Sequence, residues 1–128
     1  MPVTSNDFLS FAKDCVSRSD EIGYRNAIAR AYYAAYHHVL PCMEHGPKDN
    51  HQGLIDYLKG DAWRASSEKY ERSSLVGLAM ALQLLKDQRI LSDYNLNSDF
   101  DKLSADTAVR TAEKLMDKCN QLTQSEAS

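Results

Sequence analysis

The residues of this chain best suited to chemistry are an arginine and a histidine, Arg30 and His37, in the run "YRNAIARAYYAAYHH" that begins at Tyr24. An arginine offers a planar fork of N–H donors that matches phosphate oxygens. A histidine can both take and return a proton near neutral pH. The run holds neither proline nor glycine, so it reads as one helix. Seven residues advance almost two full turns, and the two side chains leave the same side with Cα atoms about 10.5 Å apart. One phosphodiester set between them can meet both groups.

On the same helical wheel Tyr24, Ile28, Ala31, Tyr32, Ala35 and Val39 share the arc assigned to the core. Asn26, Arg30, Tyr33 and His37 share the opposite arc, flanked by the small residues Ala27, Ala29 and Ala34. Tyr33 and Tyr36 are large amphipathic groups that a purely solvated face does not favour. Two arrangements account for them: a second buried face on a central helix, or a ligand or dimer face, where aromatics and arginine are enriched. Arg25 reads first as a solvated or ion-paired side chain and stays a spare positive charge near the motif.

The elements that must carry these residues are helical. Four long segments are expected, at about Ser5 to Ser17 with Ser5 or Asn6 as N-cap, Asp20 to Leu40, Ser67 to Leu91, and Ser104 to Leu122. The second ends or bends at Pro41. A polar stretch with Gly46-Pro47 follows, then a short helix around Leu54, Ile55, Tyr57 and Leu58, closed by Gly60. Apolar stripes run along Phe8, Ala12, Cys15 and Val16, along Leu75, Leu78, Ala79, Leu82 and Leu85, and from Ala105 through Ala108, Val109, Ala112, Leu115, Met116 and Cys119 to Leu122. No segment alternates with period two. The expected fold is all-α, an antiparallel bundle of four principal helices plus one short helix, as a single domain over 1–122 with a polar tail at 123–128.

Composition narrows the function. Apolar residues at 43% and charged residues at 26% are ordinary for a globular domain, and a chain of 128 residues makes one. A net charge of −3 argues against gripping long duplexes through many phosphates, while leaving room for a small site with local arginines. No apolar run is long enough to span a bilayer, and the first residues lack the features of a secretory signal, so no membrane partner is expected. Three scattered cysteines, Cys15, Cys42 and Cys119, exclude a disulfide framework and point to a cytoplasmic setting. His37, His38, Cys42, His45 and His51 invite a metal reading, but Pro41 interrupts their helix and no second carboxylate pair accompanies them. Neither a metal nor a cofactor is assigned.

"RNAIARAYYAAYHH" resembles the motif helix of HEPN domains, whose hallmark is an arginine followed after four to six residues by a histidine. Arg30 and His37 fit that spacing, and the aromatic doublet Tyr32-Tyr33 matches a bacterial branch of the group. "LLKDQRILSDYN" adds Arg89, Asp93 and Tyr94, which look like that branch's arginine-then-Asp-Tyr segment, and His51 in "NHQGLIDYL" falls where a histidine often opens a short helix. The resemblance covers roughly residues 8 to 120. It implies metal-independent RNA cleavage by a homodimer whose motif helices face each other, in a toxin or antiviral defence component with an antitoxin or other protein partner. His37 is then the general acid/base and Arg30 the phosphate clamp. Asn26, Tyr33 and His38 are supporting candidates, and Arg25, Tyr36 and His51 are candidates for binding RNA or nucleotide. The residue after the arginine is Ala31, where HEPN ribonucleases usually carry a polar one; Asn26, a turn earlier, is the candidate substitute. Val39 stands where some HEPN toxins carry a tyrosine that an antitoxin modifies. The alternative is a catalytically silent HEPN module that binds nucleotide or RNA or serves as a dimerising subunit.

Overall fold

The computed structural model of the chain describes residues 2–65 and 67–127, with side chains through 124. Among them lie six α-helices and no strand: α1 (Ser5–Ser17), α2 (Glu21–Val39), α3 (His51–Lys59), α4 (Asp61–Arg64), α5 (Arg72–Tyr94) and α6 (Lys102–Ala127). The fold is all-α. The short helix α4 accompanies the one expected short helix, α3.

Local chemistry sets the helix ends. The cap of α1 is Thr4, not Ser5 or Asn6. Its side chain accepts from the Asp7 amide at 3.3 Å while the Asp7 carboxylate accepts from the Thr4 amide at 2.8 Å. That reciprocal box needs an acid at the third helical position, which only the Thr4 register supplies. Asp20 caps α2 by accepting from the Gly23 amide at 2.9 Å, and Pro41 converts the end of that helix into a 3₁₀ turn, Leu40–Cys42. Asn50 caps α3 in the same manner, accepting from Gly53 at 2.8 Å.

Helix α5 starts at Arg72, later than the periodicity from Ser67 predicts, because the residues ahead of it are engaged elsewhere. The buried Glu68 carboxylate accepts from the amides of Glu44 and His45 at 2.7 and 2.8 Å, and the Tyr70 hydroxyl donates to the Cys42 carbonyl at 3.1 Å. These bonds tie the segment to the turn after α2 and hold it out of the helix. At the other end, the segment 123–128 set apart as a tail continues α6 as far as Ala127; Ser128 lies outside the described residues.

Contacts between helix ends fix the arrangement. Ser5, at the start of α1, and Asn120, near the end of α6, both bond His38 near the end of α2. Arg25, near the start of α2, bonds the carbonyls that end α5 and follow it. So α1 and α5 run antiparallel to α2, and α6 runs parallel to it. The hairpin from α1 to α2 is tight: a Cβ placed on Gly23 would sit 2.4 Å from the Cys15 carbonyl oxygen, a contact only glycine permits.

The core forms around α2. Ile28, Tyr32 and Val39 pack with Leu54, Ile55 and Leu58 of α3, Leu75, Leu82 and Leu85 of α5, and Ala108, Ala112 and Cys119 of α6. Each fully buried leucine or isoleucine contributes about 1.5–3 kcal/mol relative to exposure. The stripes expected on α5 and α6 are buried as a set, with Leu122 only half-buried. Among the described residues no helix is long and apolar enough to cross a membrane.

Candidate functional site

Helix α2 is covered on nearly every side. Gly23, Arg25, Ala27, Ile28, Ala29, Ala31, Tyr32, Ala34, Ala35, Tyr36 and Val39 are all buried. The polar arc identified on the wheel stays open: Asn26, Arg30 and Tyr33 are half-buried and His37 is exposed, while Glu21, Ile22, Tyr24 and His38 are the other residues of α2 that are not buried. Tyr36 therefore belongs to a second buried face, and Tyr33 stays half-buried at an open edge.

Tyr33 is the hub of that edge. The guanidinium of Arg30 lies 5.2 Å from its ring centroid, and that of Arg89, from α5, lies 5.3 Å away. His37 and His51 lie 6.5 and 6.4 Å from the same centroid, and Phe8 of α1 lies 6.1 Å from it. Phe8 also stacks on the His37 imidazole at 5.4 Å with planes 14° apart. The fold thus gathers two arginines and two histidines from three helices around one phenol.

The individual groups differ in how firmly they are held. Arg89 donates to the Tyr33 hydroxyl at 2.7 Å, and its Nε lies 3.0 Å from an Asp93 carboxylate oxygen without a directional hydrogen bond. Arg30 has no ion pair among the described residues, and its Nε is buried without a hydrogen-bond partner. His37 lines an open cleft of about 500 Å³ with Val3, Thr4, Ser5, Phe8 and Pro41. The cation and the imidazole are free to engage something from outside.

His51, the first residue of α3, is the most constrained. Its Nδ1 lies 2.6 Å from the Tyr32 hydroxyl, and its ring stacks on Tyr36 at 3.9 Å with planes 16° apart. Burial lowers its pKa below the ordinary histidine value, and the cations Arg89 and Lys86, with the neighbouring imidazole of His37, push the same way. Burial, with Tyr36 and Tyr33 nearby, holds the Tyr32 phenol well above its ordinary value despite the opposing pull of Arg89. Lys86, one turn before Arg89, donates to the Gln52 side-chain oxygen at 2.7 Å.

Four of the candidate residues are engaged by other groups of the chain, Arg25 in the ion-paired form that the sequence suggested first. Arg25 is buried and fully engaged: it pairs with Glu21 at 3.2 Å, lies over the Phe100 ring, and donates to the carbonyls of Ser92, Asn95, Leu96 and Ser98. It clamps the loop after α5 and has no donor left for RNA. Asn26 donates to the Ile22 carbonyl at 2.8 Å and stands one turn, about 6 Å along the axis, before Arg30. His38 is bridged between Ser5 and Asn120, each at 2.8 Å, on the α1–α6 side. Tyr36 is buried and supports His51, so it is not a binding surface. Arg89, Lys86 and Tyr32 are the participants that sequence reasoning did not assign to the site. The Arg89-to-Tyr94 segment was the available signal for the first.

Among the described residues no group of three or more His, Cys, Asp or Glu side chains is arranged to hold a metal ion. A groove of about 540 Å³ between α5 and α6 contains Lys114 and Lys118 but no histidine or carboxylate. No family model matches the chain, and neither a curated protein nor a solved structure matches it.

Proposed function

We propose that this chain is a HEPN-like, metal-independent endoribonuclease that works as a homodimer, as a toxin or as an antiviral effector component held by a protein partner. The observation that carries this reading is that Arg30, without an ion pair among the described residues, and an exposed His37 share one open edge of α2, both against Tyr33. In the reaction the ribose 2′-oxygen attacks the adjacent phosphorus, the P–O5′ bond breaks, and the products carry a 2′,3′-cyclic phosphate and a 5′-hydroxyl. One His37 takes the 2′-hydroxyl proton and the His37 of the second copy gives a proton to O5′. Arg30 stabilises the charge that builds on the non-bridging oxygens.

The surface beside the edge supports a second copy. Phe11 is 51% exposed and Ile22 is 57% exposed, and with Asn26 they line a cleft of about 470 Å³ on the α1–α2 face. Large apolar groups left open beside an arginine and aromatics are the composition of an interface core.

A second reading, the catalytically silent HEPN module, is favoured by Ala31. That residue is fully buried, so the position usually polar in HEPN ribonucleases contributes nothing to the cleft. The test is RNA incubated with wild type in excess chelator, beside His37→Ala and Arg30→Ala. Cleavage that leaves cyclic phosphate ends and falls by about 10²-fold or more in each variant supports the enzyme. An inert wild type that still dimerises supports the silent module.

A further inference from the structure

His51 is a histidine in the cluster with no role in the proton transfers above, and its surroundings fix which nitrogen carries its proton. Tyr32 is only 1% exposed, and among the described residues its hydroxyl meets one partner, the Nδ1 of His51 at 2.6 Å. Two arrangements satisfy that contact. If Nδ1–H donated to the phenol oxygen, the phenolic proton would be left buried with no acceptor, at about 1–3 kcal/mol. If the phenol donates to Nδ1, both groups are satisfied and the ring proton sits on Nε2. The second arrangement wins. Nε2, on the side of the ring away from Tyr32, makes no hydrogen bond among the described residues. The stack on Tyr36 prevents the ring from turning to change this.

The charges facing His51 decide its protonation. Arg89 and Lys86 face it from α5, and His37 from α2; the other ring neighbours, Tyr32, Tyr33 and Tyr36, are phenols. Asp49, just before α3, acts on Tyr36. Positive groups therefore prevail around the imidazole, and a positive charge on it is disfavoured. A neutral ring in this tautomer is a rigid N–H donor set among cations.

On the reading of the site given above, we infer that His51 meets the RNA phosphate as a neutral Nε2–H donor, locked in that tautomer by Tyr32, and carries none of the reaction's protons. Tyr32 is then a positioning residue. His51 and Arg89 hold a non-bridging oxygen from the α3–α5 side of Tyr33, while Arg30 and His37 work from the α2 edge. The preformed donor needs no reorganisation when charge develops on the phosphate.

Two measurements test this. The first is cleavage by His51→Gln and His51→Ala. The glutamine amide reproduces an Nε2–H donor but cannot shuttle a proton at neutral pH. His51→Gln should keep activity within about 10-fold of wild type, while His51→Ala falls by about 10²-fold, and the pH–rate profile keeps both limbs. Glutamine as inactive as alanine, or loss of one limb, would overturn the inference. The second is ¹⁵N NMR of the imidazoles in the wild-type protein, with and without an oligoribonucleotide made uncleavable by 2′-O-methylation. The expected signature is an unprotonated Nδ1 and a protonated Nε2 that shifts on adding the oligonucleotide, and a mixture of tautomers in Tyr32→Phe. A protonated Nδ1 in wild type, or an Nε2 indifferent to the oligonucleotide, sinks the idea. If wild type cuts no RNA yet Nε2 still responds, the nuclease reading fails while the donor role stands.

Discussion

Replacing Arg25 and Arg30 in turn by methionine sets two arginines of one helix against each other. Methionine keeps most of the stem and helix propensity, so the change isolates the guanidinium. At Arg25 that group donates to four carbonyls between Ser92 and Ser98, pairs with Glu21, and lies 4.8 Å from the Phe100 ring centroid. Hydrogen bonds to a charged group contribute about 1.5–3 kcal/mol each but do not add fully. Most of the loop carbonyls can turn to water once the clamp is gone, whereas Ser92 is buried and its carbonyl has less freedom. The expected loss is about 3–4 kcal/mol, a large share of a domain's stability. At Arg30 no ion pair or hydrogen bond among the described residues is lost, and removing a buried, unsatisfied Nε offsets the lost contact with the Tyr33 ring, so the change should stay within about 1 kcal/mol of wild type in either direction. Urea unfolding followed by circular dichroism measures both. An Arg25→Met loss below about 1 kcal/mol, or an Arg30→Met loss as large as that of Arg25→Met, would refute the division of the two arginines into clamp and free cation.

Gly23→Ala should destabilise by about 1–3 kcal/mol, although helix propensity alone favours alanine by about 1 kcal/mol. The added Cβ would meet the Cys15 carbonyl oxygen at 2.4 Å, and a stabilised variant in thermal unfolding would contradict the tight hairpin. Tyr33→Phe keeps the hub ring but deletes the 2.7 Å bond from Arg89, and should cost about 1 kcal/mol in urea unfolding while weakening oligoribonucleotide binding by fluorescence anisotropy. Unchanged binding would separate Arg89 from the ligand. The lowered pKa of His51 gives a pH effect of definite sign. Between its folded value and the ordinary 6.5 the unfolded chain binds the extra proton, so this group's contribution to stability rises with pH across that window and is lost as pH falls through it. Wild type should therefore gain on His51→Phe as pH rises toward neutrality, and a difference flat with pH in paired denaturation curves would show that the ring is not held neutral.

The helices were legible because their stripes are regular. Leu75, Leu78, Ala79, Leu82 and Leu85 follow the 3.6-residue period and are all buried. The start of α5 was not legible, because Glu68 and Tyr70 bond backbone groups of residues 42–45, a tertiary demand that periodicity does not carry. The edge formed by Asn26, Arg30, Tyr33 and His37 followed from the wheel, yet the wheel could not assign Arg25 or Tyr36. Arg25 satisfies carbonyls 67 to 73 positions downstream, and backbone acceptors have no sequence signature. Tyr36 is buried because α3 places His51 against it, which no reading of α2 alone contains. Arg89 reaches Tyr33 across 56 positions, and only the resemblance of its segment marked it in advance.

The alanines of α2 make this edge possible. Ala27, Ala31, Ala34 and Ala35 have no exposed surface and Ala29 almost none, so neighbouring helices press close to the α2 backbone on three sides. On the open edge that is left, this chain places Arg30, Tyr33 and His37. Arg89 and Lys86 arrive from α5 and His51 from α3, so positive groups converge while one carboxylate, that of Asp93, contacts Arg89. The chain has 18 acidic residues against 15 lysines and arginines, and ion pairs elsewhere on its surface show that acids are available to offset cations. Leaving Arg30 without one, with its Nε desolvated, opposes folding by the amount an anion would return on binding. Stability gives no reason for that arrangement, whereas the proposed function does: a cation already committed to a carboxylate would have to break that pair before it could bind a phosphate.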